Sequence, residues 1–517
     1  MPISFNNIPS NWRQPLYWVE IDSSMAGQPI YALPALLVGQ MLSTGTATAD
    51  VPVPCQSPSL ADSLFGQGSH LAAVARAFFK VNASQECWCL PVADPTGSQA
   101  TGTITVATPP TQAGILDLYI GGKHIQVFVA ADDTIDDVAI NINAGINANV
   151  SGDLCVTSTV TAAAVTVKAK FKGIVGDDIT MLDTYYNGPG GEQLPQGLTL
   201  TYSGATLTGG AGTPLFDNAI ANMGEMAAEF VCLPFTDSTT LLAWETEFGF
   251  TDSGRWGWMR QLFGSIWSAK RDTYANLLTF GASRNCPQTS ILSIEQASPS
   301  PVWEWAAAYT GKAARGFTDD PARPLQTLQL TGILPAPLHQ RFIMSELNSL
   351  ALTGMGTQRT VAGNTPMISR ETTTYQLNSY GFEDIAYTDA TTLATLAKLL
   401  RNQRAAVTNK WPRHKIADDG TLFGPGQAIV TPKSIAAELV AQYRIDEFNG
   451  LVEDVDTFVN NLIVERDSTD PTRVNVLYPP NLISGLRMFA VLAQFRLMSD
   501  EMVGINSTAA AQQIALA

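Results

Sequence analysis

The sequence predicts a multidomain α/β and α+β protein. An α/β core is interrupted by an inserted β-rich α+β domain and followed by a C-terminal α+β domain, with terminal arms able to exchange strands. Three observations carry this prediction. Strand-like apolar runs alternate with helical periodicity on both sides of residues 98–212; composition shifts inside that span; and both ends carry aromatic or apolar segments outside any domain core. At about 150 residues per domain, 517 residues allow three to four domains.

Residues 1–20 hold Phe5, Trp12, Tyr17 and Trp18 between Pro9 and Pro15, which block regular helix, so they read as an arm. The core begins with a strand at ALLVG after Pro34, a GQGS turn at 66–69, a helix over 69–81 and a strand at 86–92. Residues 98–212 are rich in Thr, Val, Ala and Gly and contain neither Trp nor Arg; ten acidic residues against four lysines give them a net charge of −6. Alternation predicts strands at 115–120, 124–129 and 164–171, and Ile135, Val138, Ala139, Ile142 and Ile146 predict a helix over 134–148. The core resumes at 213–345, with helices at 216–228, 238–248, 268–279 and 301–314, strands at 230–235 and 289–294, and an apolar segment at 261–267. ECWCLPVAD (86–94) and EFVCLPFTD (229–237) repeat one pattern and are expected as neighbouring strands of a mostly parallel sheet. Pro-rich 318–341 reads as an extended wrap. The C-terminal domain, 346–498, holds a strand at 370–377, helices at 389–409 and 432–448, strands at 460–466 and 472–478, and a last apolar strand at 486–498; 499–517 is an extension.

Composition excludes several function classes. A net charge of −16 and a pI near 4.7 repel phosphate backbones and anionic lipid, so nucleic acid is not an expected partner. The most apolar short run, YALPALLVG, is too short to span a bilayer, and no membrane insertion is expected. The N-terminus lacks the pattern of a secretory leader, so the chain is expected to start in a cytoplasm. The six cysteines are too sparse for a disulfide framework and are expected as free thiols.

Catalytic chemistry finds little support. Ser253 in TDSGR lacks the second glycine of a nucleophile elbow, and a surface turn is the simpler reading. GQGS supplies Gly66 and Gly68 of a dinucleotide fingerprint but has Leu71 where the third glycine belongs, so it reads as a packing turn. Cys87 and Cys89 share a strand face without a second pair to complete a metal site, and the Asp pairs 132/133, 136/137 and 177/178 lack the spacing of a calcium loop. No catalytic residue, cofactor or metal is assigned; the expectation is not an enzyme.

Two features point to assembly. Residues 388–415 carry six basic residues against Asp389, a net of +5, while 433–470 carry nine acidic against three basic, a net of −6. Such separation is either a solvated face or a complementary docking pair. The chain ends can add strands to a neighbour's sheet, or pair within their own chain.

The stretch 419–497, DGTLFGPGQAIVTPKSIAAELVAQYRIDEFNGLVEDVDTFVNNLIVERDSTDPTRVNVLYPPNLISGLRMFAVLAQFRL, resembles the C-terminal domain of contractile-tail sheath proteins of the Mu-like phage type. ISFNNIPSNWRQPLYWVEID (3–22), LFGQGSHLA (64–72), ECWCLPVAD (86–94), PSPVWEWAAAY (299–309), DDPARPLQTLQLTGILPAP (319–337) and RTVAGNTPMISRETTTYQ (359–376) resemble the same family in the same order. The resemblance implies a virion tail subunit, assembled in the host cytoplasm, whose partners are further copies of itself, the tail tube, the baseplate and the tail terminator. It forms stacked hexameric rings that contract to drive the tube through an envelope. It implies exchanged strands at 3–18 (Ile3, Phe5, Trp12, Tyr17) and 487–497 (Met488, Phe489, Val491, Phe495), with acceptors at 460–466 and 473–478 (Val464, Val474, Val476). It makes Lys398, Arg401 and Arg404 candidates for tube contact and 98–212 an outward decoration. The family usually ends near QFRL, whereas here 20 residues follow Leu497. A phage-derived, bacteriocin-like particle is the close alternative, and a cytoplasmic α/β hydrolase using Ser253 the distant one.

Overall fold

The computed structural model describes residues 33–495 except 188–189 and 361–363. The arm residues Ile3, Phe5, Trp12 and Tyr17, and the extension at 499–517, lie outside the described residues.

β1 (Ala35–Gln40), β2 (Val53–Pro54), α1 (Pro58–Phe65), α2 (His70–Val81) and β3 (Cys87–Val92) precede the insert. Within it come β4 (Gln99–Thr108), β5 (Gly114–Ile120), β6 (Lys123–Val129), α3 (Ile135–Ala148), β7 (Val156–Thr161), β8 (Ala164–Lys172), β9 (Met181–Asp183) and β10 (Thr199–Tyr202). After it follow α4 (Asp217–Met223), β11 (Phe230–Cys232), α5 (Ser238–Glu247), β12 (Ser265–Asp272), α6 (Tyr274–Ala282), β13 (Thr289–Glu295) and α7 (Val302–Asp319).

The central sheet has the order β13-β12-β11-β1-β3-β2, parallel throughout except for β2. Its central strands are buried because helices and loops cover both faces: every residue of β1 and of β13 is buried, Thr289, Ser290, Ser293 and Glu295 included. The two repeated CLP segments, β3 and β11, are not neighbours; both flank β1, one on each side. The expected order of apolar segment and helix over 261–279 is also corrected. Residues 265–272 form β12 and the helix starts only at Tyr274, because Ile266, Trp267 and Ala269 are taken into the sheet core.

In the GQGS turn, Gly66 ends α1 at φ +87°, Gly68 follows at φ +80°, and Ser69 caps α2 by accepting from the Ala72 N–H. A Cβ on Gly68 would lie 2.6 Å from the Leu154 carbonyl oxygen of the insert, so the turn packs closely against the insert and leaves no room for a side chain there.

The insert folds as two antiparallel sheets, β10-β4-β8-β7 and β6-β5-β9, around α3, whose capping box joins Thr134 and Asp137. It is clamped to the core. One apolar cluster runs from the central sheet through the insert. His70 of α2 sits edge-on to Phe171 of β8, to Phe235 and to Trp303 of α7, at 5.2–5.5 Å between ring centres. Lys123 reaches the buried Glu304 at 2.6 Å, and Arg271 binds Asp178 at 2.9 Å.

After α7 come α8 (Met344–Leu352) and the hairpin β14 (Thr357–Thr360) and β15 (Pro366–Arg370). The expected strand at 370–377 therefore begins and ends earlier; Glu371, Thr372, Thr373 and Thr374 instead run buried alongside the core, with Ser290 Oγ donating to the Thr372 carbonyl. The C-terminal module comprises α9 (Ala390–Lys410), β16 (Lys415–Ile416), β17 (Ile429–Val430), α10 (Pro432–Phe448), α11 (Val455–Asn461), β18 (Ile463–Arg466) and β19 (Val474–Leu477). Tyr443 of α10 stacks on Phe458 of α11 at 3.8 Å, and its hydroxyl donates to the Glu453 carbonyl. All six cysteines are free thiols, and no described helix is long and apolar enough to cross a membrane.

Candidate assembly surface

β18 and β19 form an isolated antiparallel ribbon, pairing Val464 with Val476 and Arg466 with Val474. Period-two alternation gives the ribbon two faces. Val464 and Val474 pack toward Val430, Ile435 and Leu439, whereas Ile463 and Leu477 are exposed on the other face. Among the described residues neither outer edge of the ribbon pairs with a further strand, leaving two rows of unused backbone donors and acceptors. A two-stranded ribbon is marginal by itself, and its support here is the helix beneath it.

Residues 484–495 form a separate unit. Among the described residues, 484–495 contains no strand, and Met488, Phe489, Val491 and Phe495 are each at least 70% exposed. A run of exposed large apolar side chains marks this segment as a candidate interaction surface.

The three cations proposed from sequence do not form one patch. Arg401 turns inward: its guanidinium forms a two-pronged ion pair with buried Glu229 at the start of β11 and lies 5.1 Å over the Phe263 ring. It ties α9 to the central sheet, and its charge is spent inside the subunit. Lys398 is half-buried near Asp446, a buried carboxylate that accepts from Asn402 and Gln442 and whose pKa desolvation raises. Arg404 is exposed. Asp389 leaves the α9 N-terminus uncapped by its side chain and instead takes both arms of Arg370, at 2.9 and 3.1 Å.

Ser253 lies on an exposed turn whose buried member is Arg255, donating to Glu247 and to the Met226 carbonyl. Sequence reasoning missed the Glu229 partner of Arg401, although Glu229 opens the repeated motif. It also missed the exposed aromatics Trp258, Tyr380 and Phe382. No periodicity marks a single carboxylate as the mate of an arginine 172 residues away.

Comparison with known proteins decides the family. Residues 209–374 match the phage tail sheath protein central domain, and 383–496 match the phage tail sheath C-terminal domain. The chain is 39% identical over 498 residues to the Mu-like prophage FluMu tail sheath protein of Haemophilus influenzae, covering 96% of this chain and all of that one. The chain belongs to the phage tail sheath family. As such a subunit it is a structural component of the tail of a phage or phage-derived contractile particle. Solved structures similar to it include a sheath tail protein of Desulfitobacterium hafniense (TM-score 0.44, 8% identity, 90% of this chain and 100% of that one). A second is a sheath tail protein of Listeria innocua (0.45, 9%, 89% and 94%), and a third the contracted helical sheath of the anti-feeding prophage (0.44, 10%, 94% and 99%).

Proposed function

We propose that this sheath subunit polymerises as stacked hexameric rings around a tail tube by exchanging terminal strands, and contracts to drive the tube through the host envelope. What supports the reading is an open-edged ribbon, β18–β19, together with the exposed apolar side chains Met488, Phe489, Val491 and Phe495 in a segment that forms no strand among the described residues. In this reading the 487–497 segment, and the arm at 3–18, complete the ribbon of neighbouring subunits through backbone hydrogen bonds, which demand extended backbone more than a particular sequence. Covalently continuous, strand-exchanged copies stay linked while their outer parts slide.

The domain boundaries at 1–20, 21–97 with 213–345, 98–212, 346–498 and 499–517 belong to the same proposal, with 98–212 outermost. Lys398 and Arg404 are the proposed tube contacts, and Arg401 joins them only by steadying α9. Baseplate and terminator meet the ends of the stack, assembly takes place in the host cytoplasm, and no cofactor takes part. The reading is tested by deleting residues 1–18 and, separately, by Met488→Asp with Val491→Asp. Each is expected to leave a folded subunit, by circular dichroism, that no longer forms long polymers under the electron microscope. Normal polymers from both would remove strand exchange from the account.

A further inference from the structure

On the insert, antiparallel register sets Tyr119 opposite His124 and Asp117 opposite Gln126, so that these four side chains share one face of the β5–β6 hairpin. From β9 the chain passes through a turn-rich connection that brings Glu192 to the same place, where its backbone N–H donates to the Tyr186 carbonyl at 3.0 Å. A ring nitrogen of His124, an oxygen of Asp117 and an oxygen of Glu192 all lie within 4.8 Å of one another. Among the described residues no other set of His, Cys, Asp and Glu converges in this way.

We propose that Asp117, His124 and Glu192 bind a divalent transition-metal ion of the zinc class. Two carboxylates and a neutral imidazole give the trio a charge that a dication balances, and one nitrogen with two oxygens favours zinc-like ions over calcium or magnesium, which prefer oxygen alone. Three protein ligands leave a fourth position for water.

The ligands are held by partners of their own. Gln126 donates to Asp117 Oδ1 at 3.0 Å, the same oxygen that His124 meets at 2.7 Å, so Oδ2 takes part in neither contact. The Tyr119 hydroxyl donates to Glu192 Oε1, and the Tyr186 N–H donates to Glu192 Oε2 at 3.0 Å. The Tyr119 ring stacks on the imidazole at 4.7 Å. Such outer partners orient metal ligands and sharpen affinity. Asp117 is buried while His124 is partly exposed, which gives an ion an entry path. The neighbouring cation, Lys123, is engaged by Glu304 and Asp153. The bound ion would fasten the connection carrying Glu192 onto the hairpin.

The test uses the full chain, stripped with a chelator and titrated with Co²⁺ alone. Visible ligand-field bands are expected to grow to one equivalent per chain and to be bleached by Zn²⁺. Both metals are expected to raise the thermal transition. His124→Ala should abolish the bands, Glu192→Gln should weaken binding by about tenfold or more, and Tyr119→Phe, a positioning change, should weaken it by about 10- to 100-fold. Wild-type protein without bands or thermal shift, or bands of equal strength in His124→Ala, would overturn the proposal. If His124→Ala fails to fold, Glu192→Gln decides alone, and unchanged affinity there refutes the site.

Discussion

Acidification should loosen the insert from the core, and His70 is where the effect can be isolated. Its side chain is fully buried among Phe171, Phe235 and Trp303, and Nδ1 accepts from the Gln40 N–H at 3.3 Å, while Nε2 has no partner. Desolvation lowers the imidazole pKa from 6.5 to about 3, and the first turn of α2, a positive helix end, also disfavours a cation there. The unfolded chain takes up this proton more readily than the folded one. The imidazole's contribution is therefore fully present above pH 6.5 and is lost as pH falls toward 3. The total is about 5 kcal/mol, of which about 2 kcal/mol, a factor of about 30 in the folding equilibrium, is lost between pH 7.5 and 5.0. Replacing His70 by Asn keeps an acceptor near Nδ1 without the titration. Urea unfolding followed by tryptophan fluorescence, at both pH values and in both proteins, should show wild type losing about 2 kcal/mol more than His70→Asn over this interval. Equal losses would mean that the imidazole is solvated or already charged, and would refute the closed interface between α2, β8 and α7.

Three other perturbations follow from the same geometry. Arg401→Ala strands Glu229 without its partner and should cost about 3 kcal/mol, read as a lower urea midpoint, while exposed Arg404→Ala should leave the midpoint within about 0.5 kcal/mol. Gly68→Ala combines a left-handed backbone with overlap on the Leu154 carbonyl and should cost about 3 kcal/mol. Gly381→Ala, with a similar φ of +79° but nothing within 4 Å, should cost about 1 kcal/mol by the same denaturation assay. Reversing Lys398 and Arg404 to Glu should abolish tube-templated extended sheath yet leave tube-free polymer intact in co-assembly microscopy; unchanged co-assembly would place the tube contact elsewhere.

Much of the fold was legible because burial leaves a periodic trace. β1, β3, β5, β6, β8, β13, α2, α3, α9 and α10 all lie where apolar alternation or helical spacing placed them. Local reading failed where tertiary context overrode it. SIWSAKRD carries a helix-compatible composition, yet parallel pairing of β12 with β11 and β13 fixes it as a strand. A strand was expected over 460–466, but Asn460 and Asn461 finish α11, whose Phe458 stacks on Tyr443, and β18 begins only at Ile463. The assembly surface was half legible. The apolar terminal run is visible in the sequence, but the exposure of Met488, Phe489, Val491 and Phe495 is not. The basic character of α9 is equally visible, but nothing local tells that Arg401 points inward to Glu229 while Arg404 points to solvent.

The central claim is that this chain builds a strand-linked cylinder, and electron microscopy of the purified full-length protein, alone and with its tube protein, tests it most directly. The account predicts hollow cylinders or stacked six-fold rings, lost on Met488→Asp with Val491→Asp although the subunit stays folded. Monomers at every concentration, with the tube protein present as well as absent, would contradict it.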